Sequence, residues 1–447
     1  MTLNIVLATS QFLPDVYGGV ETYTLGLAQE FQKVGHNVHI ICTRQETTES
    51  SELQLIDDTF AEIPVRRVIV NQNIQLKRQM QRAYSPEIAL KVKQAALEWK
   101  ADVVHVTNFS ALSAAIIPAL RELGIPIIWT ATDFGMTCAR YILIKKNGHL
   151  CSGQATFHNC LDCLRPNSGF SDPLFQALTY TPQNTSYNFA KLAQKMPLKK
   201  QGVLQTAIIV KERLDLLPLL SEIDLILAPS SWMKEILIQN GVNSEKIHVS
   251  VYGIETKVSK PQFAKTTYPL HFGFIGRIHP MKGVDILIKA FNQLNNNQKA
   301  KLTIYGSPSP DQFRYAGQLW SLAKDNPHII FGKQLNREQI PAAFEDLDIL
   351  VVPSIWYENS PIAILESLSY LTPVIASNVA GITDIVLHGQ TGLLFERGSI
   401  KELAEQMQSI IDNPHLIKTM AHAISEPKTI GADAANILGM YQTLIAS

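Results

Sequence analysis

The sequence has no excess of either charge and no long apolar run. Its 39 lysines and arginines balance 39 aspartates and glutamates, so the formal net charge is zero. Proteins that bind nucleic acid mainly through phosphates carry a basic excess, so we expect no nucleic-acid partner. No uninterrupted apolar segment approaches the roughly 20 residues of a membrane span. The first residues (MTLNIVLATS) lack the basic start and apolar core of a signal peptide and predict a β-strand.

Cysteine is scarce as well. Five cysteines in 447 residues are too few for a disulfide scaffold. The composition of a disordered chain, with low hydrophobicity and high net charge, is also missing, since 46% of the residues are hydrophobic. The length suits two or three domains. We therefore expect a globular cytoplasmic protein, with a place at the inner face of the membrane as the open alternative.

Short apolar runs alternate with helix-length amphipathic segments along the chain. Apolar runs without strict alternation suit parallel strands that are covered on both faces, and their alternation with helices predicts an α/β architecture. The segments 86–99, 282–294 and 361–371 predict helices. The predicted strands lie within 4–10, 37–43, 65–70, 102–107, 126–131, 224–230, 246–253, 270–276, 301–306, 328–332, 348–354 and 373–378.

This many parallel strands favour two sheets over one. The best break is at 258–269, which is polar, contains two prolines and lacks periodicity. We predict two Rossmann-like, doubly wound parallel-sheet domains, at 1–255 and 268–425, that face each other across a cleft. A C-terminal helix within 426–447 is expected to pack back on the first domain. The carboxyl ends of the strands at such a cleft are the default ligand site.

The segment FIGRIHPMKG (274–283) places two cations after a strand. Arg277 and Lys282 stand at the mouth of a strand-to-helix turn. A planar guanidinium and a mobile ammonium group suit a diphosphate. The alternative is a solvated turn with two surface cations.

The segment IWYENSPIAILESL (355–368) combines two carboxylates with a helix start. Glu358 lies in the loop, Ser360 and Pro361 begin a helix, and Glu366 falls in its second turn. The free backbone N–H groups of a helix start bind anions. The alternative is an ordinary capping Ser-Pro with surface glutamates.

Together these segments resemble the group 1 (family 4) retaining glycosyltransferases of the GT-B fold. That family has G-R-x4-K-G after a strand and, later, P-S-x(3–4)-E-x-x-P-x(4)-E, and the chain matches both in order. The resemblance extends to 12–31, 226–242 and 391–405. It implies transfer of a sugar from a nucleotide-diphosphate sugar to an acceptor hydroxyl, with retention of anomeric configuration. The implied acceptor is a saccharide or a lipid-linked molecule, in cell-surface polysaccharide or glycolipid synthesis.

The resemblance also implies roles for the cations and for two glycines. Arg277 and Lys282 would bind the donor diphosphate and stabilise the leaving nucleotide, with no catalytic cofactor. Gly18 and Gly19 would let the backbone approach the same phosphates, where a side chain would block it.

The same resemblance implies that the 355–368 segment contacts the rest of the donor. Glu358 would orient hydroxyls of the donor sugar, and Glu366 would bind the ribose hydroxyls. The base is expected near 332–335. The backbone of the helix start would come from Ser360, Pro361 and Ile362.

The chain departs from the family where the strand at 126–131 ends. Histidine is common there in the family, but Thr132 precedes Asp133 here. Asp133 remains a candidate to orient an acceptor hydroxyl. His105, also at a strand end, is interpreted as a packing residue. Asp346-Leu347-Asp348 has the spacing of a metal-binding pair, but it leads directly into a strand and we assign no metal to it.

Four of the five cysteines fall in an insertion at about 134–165. They can close a tetrahedral zinc site or hold an iron–sulfur cluster. The alternative is a set of reduced, packed or redox-sensitive thiols. Since similar insertions occur on the acceptor side in a subset of the family, we expect this one to shape the acceptor pocket. The predicted ligands are Cys138, Cys151, Cys160 and Cys163.

Two stretches, 74–100 and 191–213, are rich in lysine and arginine. Basic amphipathic helices rest on anionic lipid, which makes peripheral membrane contact a hypothesis beside that of a solvated helix face. Two rival functions also stay open. One is an epimerase that acts on a nucleotide sugar, and the other is a non-catalytic nucleotide-sugar-binding protein on the same fold. The sequence assigns no particular sugar, base or acceptor.

Overall fold

The structure, a computed structural model, divides the chain into two compact units. The first comprises Met1–Ser250 and Asp433–Ser447, and the second comprises Val251–Ala432. Each unit is described by itself below. The residues that the structure describes are 2–47, 52–71, 84–164, 201–255, 268–295 and 297–446, with the isolated positions 182, 185 and 188.

An eight-stranded sheet forms the centre of the first unit as far as it is described. Its strands are β1 (Asn4–Thr9), β2 (Asn37–Glu46), β3 (Gln54–Phe60), β4 (Ile63–Asn71), β5 (Val103–Val106), β6 (Ile127–Thr130), β7 (Leu225–Ala228) and β8 (Ile247–Val249). Their order is β3-β4-β2-β1-β5-β6-β7-β8. The edge strand β3 is antiparallel to β4, and the other pairings are parallel.

The helices of the first unit begin at capping residues that the sequence supplies. Ser85 accepts a hydrogen bond from the N–H of Ile88 before a proline, and Ser230 accepts one from Met233. These helices are α1 (Gly19–Lys33), α2 (Pro86–Glu98), α3 (Ile116–Arg121), α4 (Phe157–Leu164), α5 (Gln201–Leu214) and α6 (Ser231–Gln239).

A parallel sheet of six strands forms the centre of the second unit, within the described ranges. Its strands are β9 (Leu270–Ile275), β10 (Ala300–Tyr305), β11 (Ile329–Gly332), β12 (Ile349–Val352), β13 (Val374–Ser377) and β14 (Gly392–Phe395), in the order β11-β10-β9-β12-β13-β14. The helices are α7 (Val284–Phe291), α8 (Phe313–Ala323), α9 (Ile340–Asp346), α10 (Ile362–Ser369), α11 (Ile400–Asp412) and α12 (His415–Ala423), followed by α13 (Ile430–Ala446).

Strand β12 shows why the apolar runs do not alternate with polar residues. Ile349 and Val351 belong to the core cluster that includes residues of α7, α8 and α11. Leu350 and Val352 belong to a separate cluster that includes residues of α9 and α10. Both faces of the strand are therefore covered, so every position is apolar.

The predicted fold class is confirmed: both units are α/β with mainly parallel sheets. Each of the twelve predicted runs contains a strand. The prediction missed β3 and β14. Strand β3 (QLIDDTF) is an exposed edge strand with two aspartates, so it lacks the apolar signal of a covered strand. Strand β14 (GLLF) has four residues and begins with glycine.

The helix α13 completes the first unit, which contains its residues from Asp433 onward. The Tyr441 hydroxyl lies 2.6 Å from Nδ1 of His105, and Nε2 of the same ring lies 2.7 Å from Oγ1 of Thr130. Tyr23 donates a hydrogen bond of 2.8 Å to Asp433. Burial lowers the pKa of His105 to about 3, so the ring is neutral and serves packing.

The membrane hypothesis falls largely outside the described residues. Lys77, Arg78 and Arg82 are not among them, and neither is the stretch 191–200. Of the helices in the described ranges, none combines the length and apolarity needed to cross a bilayer.

Candidate functional site

Gly283 brings Lys282 to the end of β12. Its φ of +67° lies in the left-handed region, and a Cβ there would lie 2.0 Å from the carbonyl oxygen of Pro353. Only glycine permits this approach of the two loops. The N–H of Ile355 donates to the carbonyl of Met281 at 2.9 Å and fixes the contact.

A second close approach fixes the backbone of Glu358. The φ of Gly381 is +83°, and a Cβ there would lie 1.6 Å from the Glu358 carbonyl oxygen. The Glu358 N–H donates to the carbonyl of Ala380 at 3.2 Å. The loop that carries Glu358 is therefore packed between the end of β9 and the end of β13.

One oxygen of the Glu358 carboxylate accepts three hydrogen bonds. Oε1 lies 2.6 Å from Nζ of Lys282, 2.6 Å from Oγ of Ser354 and 2.8 Å from Nε1 of Trp356. Burial alone raises the pKa of Glu358, but the charge of Lys282 and the three donors lower it below its ordinary value. The result is an ionised carboxylate that is only 6% exposed.

The helix start that follows has an unused hydroxyl. Pro361 is the N-cap of α10 and has no side chain to satisfy the first N–H groups of the helix. Ser360 is 4% exposed, and its buried Oγ has no hydrogen-bond partner in the described part of the chain. Since buried hydroxyls are normally bonded, this atom and the first N–H groups of the helix are candidates to bind a ligand.

Arg277 is exposed and has no ion-pair partner among the described residues. It lies on the same loop as Lys282, after β9. The pKa of His279 is lowered by burial, by the charge of Arg277 and by that of Lys282, against the opposing effect of Asp311. The loop after β9 is therefore a cationic region. The structure brings Lys282 together with Glu358, whereas contact between Arg277 and a ligand stays a prediction.

Glu366 lies in α10 with 15% of its side chain exposed. Burial raises its pKa to about 7, and the charge of Arg337 opposes the rise. The closest atoms of these two side chains, Nη1 and Oε1, are 3.6 Å apart. Arg337 also binds Glu255 at 3.0 Å. The carboxyl group therefore changes charge near neutral pH.

A cavity of about 470 Å³ lies where the base was expected. Its wall includes Gly332 at the end of β11 and the next two residues, Lys333 and Gln334. The aromatic rings of Trp320 and Phe331 also line it. The two ring centroids lie 6.4 Å apart in an edge-on arrangement. Trp320 is 57% exposed, so most of its ring is open to a ligand.

In the first unit, Asp133 belongs to a polar cluster at the carboxyl ends of β1, β5 and β6. It accepts hydrogen bonds from Asn108 at 3.0 Å, from the Gly135 N–H at 2.7 Å and from the Ser110 hydroxyl. Asn108 also accepts from the Ser10 hydroxyl. The cluster fixes the orientation of the Asp133 carboxylate.

Gly18 is the N-cap of α1 and Gly19 is its first residue. A Cβ on Gly18 would lie 2.5 Å from the Glu21 carboxylate. Gly18 has no side chain to cap this end, and the first N–H groups of a 15-residue helix lack intrahelical acceptors.

The four cysteines of the insertion line one cavity of about 30 Å³. None forms a disulfide. Burial, with a smaller contribution from the neighbouring Cys138, Cys151 and Cys163, raises the pKa of Cys160 to about 12. Across the described ranges, no group of three or more His, Cys, Asp or Glu side chains is placed to hold a metal ion. The structural metal therefore stays a prediction.

Sequence reasoning missed several residues of these clusters. Trp356 lies in the 355–368 segment and Ser354 in the P-S of the family pattern, but neither gives a reason for the indole and the hydroxyl to bind Glu358. His279 was within the other motif. Arg337, Asn108 and Ser110 carried no local signal, because each is far in sequence from the carboxylate that it contacts.

Family models match most of the described chain. One, described as glycosyl transferases group 1, matches residues 256–427, and one for glycosyltransferase family 4 matches residues 17–135. The cysteine insertion at about 134–165 lies outside both matched ranges, apart from residues 134 and 135. Relatives include the D-inositol 3-phosphate glycosyltransferase of Corynebacterium glutamicum (strain R), which is 27% identical over 48% of this chain and 56% of that protein.

Another relative is the capsular polysaccharide biosynthesis glycosyltransferase CapM of Staphylococcus aureus, 27% identical over 41% of this chain and 46% of that protein. The chain thus spans about half the length of the curated relatives it matches. Among solved structures, Anabaena Alr3699/HepE in complex with UDP and glucose has a TM-score of 0.64 and 17% identity, over 99% of this chain and 100% of that one.

The sucrose-phosphate synthase of Thermosynechococcus elongatus has a TM-score of 0.66 and 16% identity, over 99% of each chain. At these identities the structural likeness shows the GT-B fold alone. The two family models together cover more than half of the 447 residues, one on each unit. The chain therefore belongs to the group 1 glycosyltransferases.

Proposed function

We propose that the protein is a retaining glycosyltransferase that moves a hexosyl group from a nucleotide-diphosphate sugar to an acceptor hydroxyl. The observation that carries the proposal is the buried contact between Lys282 and Glu358 beside the start of α10. It places an ammonium group, a carboxylate and unsatisfied backbone N–H groups within one loop cluster of the second unit. The ammonium group suits a diphosphate, and the carboxylate suits sugar hydroxyls. The backbone N–H groups suit further phosphate oxygens.

In the proposed reaction, the bond between the anomeric carbon and the phosphate oxygen breaks, and a bond from that carbon to the acceptor oxygen forms. The proton of the acceptor hydroxyl passes to the leaving phosphate, so no separate base is needed. Lys282 and Arg277 stabilise the negative charge that grows on the diphosphate. The second oxygen of Glu358, Oε2, orients a hydroxyl of the donor sugar, since all three of its protein donors bind Oε1.

We place the rest of the donor on the second unit as well. The ribose hydroxyls bind Glu366, and the base lies in the cavity next to Gly332, Lys333 and Trp320. Support for a nucleotide sugar comes from the solved structures of Anabaena Alr3699/HepE in complex with UDP and with UDP-glucose. In the first unit, Gly18 and Gly19 supply backbone N–H groups to the phosphates, and Asp133 orients the acceptor hydroxyl.

We propose a cell-surface polysaccharide or glycolipid as the product, with a saccharide or lipid-linked acceptor. The named role of CapM in capsular polysaccharide biosynthesis supports this product class.

The test is a thermal-shift screen of the protein against UDP-, GDP- and ADP-glucose, followed by a donor hydrolysis assay with the best binder. A ligand that binds the native state raises the melting temperature. We expect one nucleotide sugar to raise it, and we expect Lys282→Met and Glu358→Gln to remove most of the hydrolysis. Matched controls are Lys289→Met, which opens an exposed pair with Asp285, and Glu405→Gln on the surface of α11.

The outcomes separate the rival functions. Donor binding without hydrolysis or transfer would identify a non-catalytic binding protein. Conversion of the donor to an epimeric nucleotide sugar would identify an epimerase. Equal hydrolysis rates in the wild type and in Glu358→Gln would remove Glu358 from the mechanism.

A further inference from the structure

The loop that leads from β1 to α1, residues 10–18, is attached to the sheet by a buried arginine. The Arg67 side chain, in β4, is 1% exposed. Its Nη2 donates to the carbonyl oxygen of Leu13 at 2.7 Å, and its Nη1 donates to Asp15 at 3.0 Å. One guanidinium therefore holds both the backbone and a side chain of this loop.

The other partners of Arg67 explain how a charge is kept at this depth. Asp58, in the neighbouring strand β3, accepts from Nε at 2.6 Å and from Nη2 at 3.3 Å. Asp15 also binds Arg44 of β2 at 2.8 Å. The loop carboxylate is thus held between arginines from two adjacent strands, and a buried charge with several fixed partners resists displacement.

The loop ends at the uncapped start of α1. Gly18 and Gly19 have no side chains to hold them. On the helix side the Thr22 N–H donates to the Gly18 carbonyl at 3.0 Å, and on the loop side the anchor lies three to five residues earlier. Arginine suits this task because its five N–H donors lie on three nitrogens in a fixed planar fork, whereas the three donors of a lysine lie on one mobile nitrogen.

We infer that Arg67 is a positioning residue for donor binding: it holds the 10–18 loop and with it the N–H groups at Gly18 and Gly19, to which the proposed function assigns the donor phosphates. The inference rests on the proposed function. Arg67 touches no substrate and acts through the loop. The arrangement needs Asp15 as the partner on the loop and Asp58 as the partner on the sheet.

The preceding residue, Arg66, provides a matched control. It points to the other face of β4 and binds Asp57 at 2.7 Å and Glu98 at 2.5 Å. It also lies over the ring of Trp99 at 4.9 Å. Arg66 is therefore a mostly buried arginine that is paired with carboxylates, as Arg67 is. Its partners lie on β3 and α2 and not on the 10–18 loop.

The experiment compares Arg67→Met, Arg67→Lys and Asp15→Asn with the control Arg66→Met. Amide hydrogen exchange is measured over residues 10–20, and KM and kcat are measured for hydrolysis of UDP-glucose. If the competent loop conformation falls to about one tenth of the population, the donor KM rises about tenfold. We expect this rise in Arg67→Met and Arg67→Lys, with a smaller change in kcat and faster exchange in 10–20.

Arg66→Met is expected to leave the exchange of this loop and the donor KM unchanged. Asp15→Asn removes only the loop partner, so it tests the inference even if Arg67→Met does not fold, and we expect the same pattern to a smaller degree. Unchanged loop exchange, or an unchanged donor KM with faster exchange, in the folded variants would overturn the role of Arg67. A wild type that neither binds nor hydrolyses UDP-, GDP- or ADP-glucose would instead overturn the proposed function, and this inference with it.

Discussion

Lys282 and Glu358 form an ion pair of 2.6 Å in which the carboxylate is buried and the lysine side chain is 20% exposed. We expect Lys282→Met to cost about 3–5 kcal/mol of unfolding free energy at neutral pH, because it leaves a buried carboxylate without its cation. The pKa of Glu358 is lowered in the folded state, so the stabilisation is fully present above the unfolded value near 4.5 and is lost progressively as the pH falls from that value through the lower folded pKa.

Urea unfolding at pH 7.5 and pH 4 measures this dependence. The cost of Lys282→Met should shrink at pH 4, and Lys282→Met combined with Glu358→Gln should recover part of the loss at pH 7.5. The control Lys289→Met should cost less than about 1 kcal/mol, since its pair is exposed. The same cost at both pH values would contradict a charged pair.

Glu366 predicts a pH dependence of donor binding. Burial raises its pKa to about 7, so this carboxyl group, which we propose accepts the ribose hydroxyls, is mostly protonated at pH 6 and mostly ionised at pH 8. If the ionised form binds the donor, affinity should rise about tenfold between these pH values. UDP-glucose is the suitable probe, because its diphosphate lacks the ionisation near neutral pH that the terminal phosphate of UDP has.

Isothermal titration at both pH values checks this prediction. Glu366→Gln should bind more weakly at pH 8 and lose the dependence, whereas Glu405→Gln should retain it. A dependence of equal size in Glu366→Gln would assign the effect to another group.

Trp320 should contribute to binding of the base. Stacking of a base on an aromatic side chain contributes about 1–3 kcal/mol, so Trp320→Ala should weaken nucleotide binding by roughly 5- to 150-fold. Phe313, on the same helix α8 and 62% exposed, does not line the cavity and provides the control. Titration of UDP-glucose into both variants gives the comparison. Equal affinities would place the base elsewhere.

The four cysteines predict one zinc ion, or one iron–sulfur cluster, per chain in protein purified without chelator. Because the described side chains are not arranged as a metal site, binding would have to draw the four sulfurs together. Binding should also release protons, since burial and the neighbouring thiols raise the pKa of Cys160 to about 12. Elemental analysis measures the metal, and Cys138→Ser should lower its content. Cys42→Ser, in a buried strand, is the control, and protein free of metal would support reduced, packed thiols.

The sequence predicted most strands of both sheets, because apolar runs are local features. Its motif spacings, which are also local, identified Lys282 and Glu358 as candidates for the site. It did not predict their contact. That contact depends on the approach of Gly283 to Pro353, which joins loops about seventy residues apart. The exposure of Arg277 and the hydrogen-bond partners of Asp133 also depend on tertiary packing, so the sequence did not predict them. Strand β3 escaped prediction because an exposed edge strand needs no continuous apolar run.

The contacts of α13 bear on the order in which the chain folds. Buried polar groups of the first unit, on His105 and Tyr23, find their partners 336 and 410 residues later in the sequence. During synthesis the second unit emerges from the ribosome before these partners do. The first unit therefore cannot complete its folding until Asp433 and Tyr441 have been synthesised. Because these contacts join residues so far apart in sequence, we expect their formation to be a late and slow step.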